Sequence, residues 1–107
     1  IPAGGTVKIP TGGRCRMDGD RVLAIFPRSG LGFKYRLALD NTVGIIDADY
    51  YGADNEGHIM IKMTNNGDKD LFVEAGKGFA QGIFLRYYLT DDDAAVASRT
   101  GGFGSTG

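Results

Sequence analysis

A chain of 107 residues makes one domain with a modest core, a size at which association with further copies is plausible, and its 18 glycines against 3 prolines favour tight turns between short strands. With 12 basic and 13 acidic residues the formal net charge is -1, which excludes the global positive field of non-specific nucleic-acid binding and leaves a polyanionic ligand dependent on local cations or a metal. The single cysteine, Cys15, excludes an internal disulfide and the single histidine, His58, excludes a cysteine/histidine zinc site within one chain, while no apolar run approaches the ~20 residues that span a bilayer; a soluble protein in a reducing, cytoplasmic setting is expected.

Along the chain, Val7 and Ile9 alternate with Thr6 and Lys8 before Pro10-Thr11-Gly12-Gly13, which predicts a short half-buried strand running into a turn. Arg21 to Phe26 predicts an apolar strand stopped by Pro27, and Thr42 to Ile46 repeats that pattern. Ile59, Ile61 and Met63 alternate with Met60, Lys62 and Thr64 ahead of the turn signal Asn65-Asn66-Gly67-Asp68. Leu71 to Glu74 and Phe79 to Leu89 complete about six short strands, the pattern of a sandwich, jelly roll or barrel. Asp91 to Ser98 has acidic residues at a possible helix start but falls short of the ~12–15 residues at which an isolated helix becomes marginal, so it reads as a linker or one turn. The expected organisation is a β-rich core over residues 1–90, then a linker and glycine-rich tail over 91–107.

Several short stretches could carry chemistry. Gly101-Gly102-Phe103-Gly104-Ser105-Thr106-Gly107 offers unhindered backbone N–H groups and two hydroxyls suited to phosphate oxygens, although composition by itself favours a flexible terminus, and no lysine follows to make a Walker loop. Pro27-Arg28-Ser29-Gly30 combines a guanidinium with a hydroxyl where a strand stops, although by itself it reads more readily as an ordinary turn. Asp47 follows the apolar run Val43-Gly44-Ile45-Ile46, and in a chain without a Cys or His nucleophile constellation a carboxylate is the natural acceptor for a proton from water; a turn-capping aspartate is the alternative. Asp49 and Tyr50 follow closely enough to share its pocket edge. His58 and Cys15 read as structural residues, and Asp91-Asp92-Asp93 as an exposed acidic run rather than a metal site.

Taken in order, Pro27-Arg28-Ser29-Gly30, Asn41-Thr42-Val43-Gly44-Ile45-Ile46-Asp47-Ala48-Asp49-Tyr50, Phe79-Ala80-Gln81 and Gly101 to Gly107 resemble the second to fifth motifs of the trimeric dUTPases, over most of the chain. The resemblance implies an all-β, jelly-roll-like (β-clip) subunit, a homotrimer with each site assembled from three chains, and hydrolysis of dUTP to dUMP and pyrophosphate with Mg²⁺ held mainly by the substrate phosphates. It implies that Asp47 activates water toward the α-phosphorus. Asn41 and the backbone after it, through Gly44, would read the uracil edge, and Tyr50 would lie against the deoxyribose and leave no space for a 2′-hydroxyl. Arg28, Ser29, Gly30 and Gln81 would hold the phosphates. Phe103 would stack on uracil while Arg99, Gly104, Ser105 and Thr106 close over the nucleotide.

Three departures accompany the resemblance. Ala3-Gly4-Gly5-Thr6 lacks the aspartate of the family's first motif, an Ala-Gly-x-Asp stretch, so the chain is expected to begin downstream of it. Gly78 stands where many relatives have arginine, which bears on one phosphate contact, and Tyr51 to Gly57 is longer than in many relatives. Two other functions remain open on the sequence. A dCTP deaminase or bifunctional deaminase shares the architecture but uses a glutamate in its central motif, which Asp47 without a neighbouring glutamate argues against. A nucleotide-binding regulatory protein of the same fold could use Tyr51 to Gly57 for a partner.

Overall fold

The computed structural model describes residues 1–88, in which alternation of apolar and polar side chains has become two three-stranded antiparallel sheets. The strands are β1 (Thr6–Pro10), β2 (Arg21–Pro27), β3 (Leu37–Leu39), β4 (Gly44–Asp47), β5 (Met60–Asn65) and β6 (Ala80–Arg86), with a helix α1 (Ser29–Tyr35) and a 3-10 helix (Ala48–Gly52) between them. One sheet has the order β1-β5-β3, the other β4-β2-β6. The two meet through Ile25 and Ile46 on one side and Leu37, Leu39, Ile61 and Met63 on the other, a single core cluster that also takes in Tyr50, Ala53, Ile59 and Leu71. Period-two patterning thus placed β5 correctly: Ile61, Met63 and Asn65 are buried while Lys62 between them is exposed. The all-β expectation holds, with mostly antiparallel strands and little helix.

Four local expectations are corrected. Pro27-Arg28-Ser29-Gly30 leads into α1 rather than making a simple turn. Glycines at 30 and 32 hid the helix, whose only core-directed pair is Leu31 and Tyr35, four residues apart on one face. It ends at Arg36, which takes the left-handed conformation (φ 52°) and donates its N–H to Leu31 O. Strand β3 was not anticipated, being too short to display alternation, yet Leu37 and Leu39 are both core residues. Leu71 to Glu74 forms no ladder: Leu71 exchanges hydrogen bonds with Ile1 alone (2.6 and 2.9 Å), and the next residue, Phe72, is 84% exposed. Finally β4 begins at Gly44 rather than Thr42, because Thr42 and Val43 belong to the preceding turn. The expected linker and tail, 91–107, lie outside the described residues.

Asn65 secures the end of β5. It is wholly buried, and its amide donates to Ile1 O (3.1 Å) and Lys69 O (2.8 Å) while its side-chain oxygen accepts from Gly67 N (3.0 Å). Its main chain pairs with Gly4 N and Gly5 O, so one residue holds the N-terminal segment and the 66–70 turn to the sheet. Buried polar groups are tolerated only when satisfied in this way. Asn65→Ala should therefore destabilise the chain by about 2–4 kcal/mol, because it removes three buried side-chain hydrogen bonds to the main chain at once. A urea titration checks this, and a midpoint within error of the parent would show that water replaces the amide without loss.

Candidate active site

The sequence motifs fall on two places joined by β2. The first is the hairpin-like turn that links β3 to β4, closed by an isolated bridge between Leu39 and Thr42. Asp40, Asn41 and Val43 at its tip and Gly44, Ile45 and Ile46 of β4 form one wall of a cleft of about 430 Å³, lined also by Ile25, Leu39, Tyr50, Met60, Ile61 and Lys62. Gly44 lets the hairpin close onto β2, since a Cβ there would lie 3.1 Å from both Ile25 Cβ and Leu39 Cδ2. Asn41 sits at the exposed tip. Asp40 is fixed behind it by its own N–H to Lys62 O (2.9 Å), by the Thr64 hydroxyl and by the Lys62 ammonium at 3.7 Å.

The tip itself is tightly wound. Thr42 N–H donates to Leu39 O (3.0 Å) and Val43 N–H donates to Asn41 O (2.8 Å), with Thr42 at φ 71°. The second bond spans three residues across a positive-φ centre, the arrangement of the uncommon γ-turn. For a β-branched residue this conformation is sterically crowded and costs ~1–2 kcal/mol, which the surrounding hydrogen bonds must offset.

Asp47 closes β4 opposite Val22 and is the N-cap residue of the 3-10 helix, to which its side chain makes no capping hydrogen bond. It borders a recess with Met17, Gly19, Ala48, Asp49 and Tyr87. Three residues on, Tyr50 is only 4% exposed, its ring in the core and in the cleft wall, and its hydroxyl donates to His58 O (2.6 Å) while accepting from Asn55 Nδ2 (2.7 Å). Asn55 Oδ1 in turn accepts from Gly57 N (3.1 Å), so Tyr51 to Gly57 is folded back onto Tyr50 rather than projecting as a free loop. Outside it, Arg14 stacks on the Tyr51 ring (3.6 Å to the centroid) and donates to Tyr51 O (2.9 Å). His58 is structural here, its Nε2 accepting from Gly12 N (3.0 Å).

The second place is the other end of β2. Arg28 follows it directly, Ser29 and Gly30 open α1, where the first N–H groups have no acceptor within the helix, and Gln81 in β6 donates from Nε2 to Pro27 O (3.3 Å). These four residues are thus neighbours and all are exposed. The Arg28 guanidinium lies across Gly78, donating to its carbonyl (3.4 Å); a Cβ at 78 would come within 3.1 Å of Arg28 Nη1. In this chain Arg28 therefore uses space that a side chain at 78 would take.

One chain does not bring the two places together. Asp47 is level with Val22 and Arg28 lies six residues further along the same strand direction, a separation of about 20 Å at ~3.3 Å per residue. By register, Asp47 and Gln81 share the outward face of the β4-β2-β6 sheet with Ile45, Ile83 and Leu85, which are 54%, 47% and 46% exposed. Arg99, Phe103, Gly104, Ser105 and Thr106 lie outside the described residues. Among the described residues no three His, Cys, Asp or Glu side chains converge as a metal site. Sequence reasoning missed Ile25, Met60, Ile61 and Lys62 as cleft residues because their patterning read only as strand, and Leu39 because β3 is too short to show a pattern. Thr42 was quoted within a motif but not singled out, and no composition signal marks a positive φ at a threonine.

The profile of the dUTPase family matches residues 1–107. A deoxyuridine 5'-triphosphate nucleotidohydrolase of Lactococcus lactis is 43% identical over 109 residues, covering 98% of this chain and 73% of that protein. One of Desulfitobacterium hafniense is 42% identical over 113 residues, covering 100% and 72%. The crystal structure of dUTPase from Streptococcus mutans superposes with a TM-score of 0.74 at 43% identity, covering 85% of this chain and 72% of that one. Matched by the family profile along residues 1–107 and superposing on a solved dUTPase, the chain belongs to the dUTPase family of enzymes.

Proposed function

We propose that the chain hydrolyses dUTP to dUMP and pyrophosphate in a site assembled from three copies. The observation that carries the shared site is the separation along β2. A base bound at the hairpin puts the α-phosphorus near Asp47, and the β- and γ-phosphates must then meet Arg28, yet in one chain the two residues stand about 20 Å apart. A neighbouring copy supplies the missing half, and the apolar outward face of β4-β2-β6, ending in Asp47 and Gln81, is a surface on which copies can meet. Ser29 and Gly30 amides and the Gln81 amide join Arg28 around the outer phosphates.

In this reading the hairpin receives the uracil edge at Asn41 and Gly44 in a cleft too narrow for a 5-methyl group, and the Tyr50 ring lies under the sugar. Asp47 accepts a proton from water as that oxygen attacks the α-phosphorus, and the bond to the bridging oxygen of the β-phosphate breaks to release pyrophosphate. The tail, with Arg99, Phe103, Gly104, Ser105 and Thr106, closes over the nucleotide. Mg²⁺ suits a donor set made chiefly of triphosphate oxygens, since it binds through one or two carboxylates or none when phosphates are present, and it supplies charge neutralisation there. A reducing cytoplasmic setting suits the single Cys15. No helix among the described residues is long and apolar enough to cross a membrane.

Pyrophosphate release from dUTP, measured beside ammonia release from dCTP, tests the reaction; ammonia without pyrophosphate would assign a deaminase instead. Asp47→Asn should bind nucleotide with little change and lose ~10²–10⁴ in kcat, as removal of a general base does. Near-parental turnover would place the base elsewhere. Mixing Asp47→Asn chains with Arg28→Ala chains, each nearly inactive alone, should restore roughly a quarter of parental activity after subunit exchange, since each site draws the two residues from independently chosen copies. Mixtures no more active than their parents would return the whole site to a single chain. Tyr50→Phe should keep rejection of UTP, which depends on the ring, while losing about 1–2 kcal/mol of stability with the hydroxyl's two hydrogen bonds. A fall in the dUTP-to-UTP ratio of kcat/KM would instead put the hydroxyl in the selective step.

A further inference from the structure

We infer that Thr42, whose side chain does not line the cleft, is a positioning residue that sets the selectivity of the hairpin through the backbone. The inference rests on the reading of the hairpin as the uracil site. Thr42 is exposed, yet its neighbours Asn41 and Val43 both line the cleft, and the two hydrogen bonds of the tip run through its flanking peptide units. Its φ of 71° places a β-branched side chain where an L-residue has one narrow well and glycine has a broad one. The scaffold enforces this conformation from both sides: the Leu39–Thr42 bridge closes the turn on one side, and Gly44, packed against Ile25 and Leu39, anchors it on the other. Threonine at this point leaves the tip little slack.

That stiffness matters because the difference between uracil and thymine is one methyl group. A wall that yields by the width of a methyl cannot exclude it, and one methylene of steric fit is worth only about 10–200-fold in discrimination at best. The selectivity of the cleft therefore depends on how far Asn41 and Val43 can move apart, and Thr42 limits that movement. Branching at Cβ is the operative feature. The hydroxyl of this exposed residue is not needed.

The test compares kcat/KM for dUTP and dTTP in the full-length parent, Thr42→Gly and Thr42→Val, with a thermal melt of each. Thr42→Gly should raise the dTTP-to-dUTP ratio of kcat/KM about tenfold, chiefly by a gain on dTTP, while melting at or above the parental temperature. Thr42→Val, which keeps the branch and lacks the hydroxyl, should keep the parental ratio. A selective parent whose ratio is unmoved by glycine would overturn the role of Thr42 alone, and a ratio that shifts with valine would overturn the argument from branching. A parent that does not prefer dUTP to dTTP would overturn the uracil reading and this inference together.

Discussion

The length of β2 governs how this molecule can work. It is the central strand of its sheet, pairing with β4 on one side and β6 on the other, so everything carried by those neighbours is registered against it. β4 delivers Asp47 to its start and β6 delivers Gln81 to its end, and the chain leaves it directly into Arg28. Seven residues of rigid ladder separate the ends. No rotamer change or loop movement shortens a hydrogen-bonded strand, so a ligand needing both ends must find one of them on another copy. Under the proposed function, association would serve the chemistry as well as cover Ile45, Ile83 and Leu85.

Hydrogen bonds and an ion pair brace the wall of the cleft. The Tyr50 hydroxyl is held on both its donor and acceptor sides, which leaves the ring one orientation in the cleft wall. Asp40 and Lys62 brace the hairpin from β5, itself the middle strand of the other sheet and closed by the buried Asn65. The hairpin therefore stands on two central strands, β2 in front and β5 behind. Positions on central strands move least, which is the footing that the proposed exclusion of one methyl group calls for.

Much of this was legible in the sequence, for definable reasons. Strands β1, β2, β5 and β6 announced themselves because their apolar residues alternate or run together between turn signals. The residues Arg28, Asn41, Asp47, Tyr50 and Gln81 are marked by the resemblance of their motifs, taken in order, to those of the trimeric dUTPases. What escaped is of another kind. Helix α1 carries two glycines in seven residues, so its propensity is poor and its form depends on packing by Leu31 and Tyr35 against the core. Leu71 to Glu74 looks like a strand but lacks a partner beyond Ile1, and pairing is a property of the fold rather than of the segment. The conformation of Thr42 follows from the closure of two strands around it, which no local pattern encodes.

The folded-back segment from Tyr51 to Gly57 has a consequence for how such chains can vary. Gly57, at φ 74°, has no room for a side chain, since a Cβ would lie 2.7 Å from Tyr51 Cα and 2.8 Å from Tyr50 O. Asn55 reaches the Tyr50 hydroxyl only because the chain turns back at this point. A homologue that shortens the segment while keeping the tyrosine must supply another donor to the phenolic oxygen or open it to water. Insertion by a single residue would carry Asn55 off its partner and Gly57 off its tight approach together. Changes of length here are thus restricted to replacing the whole segment, in one step, by a different self-contained closure.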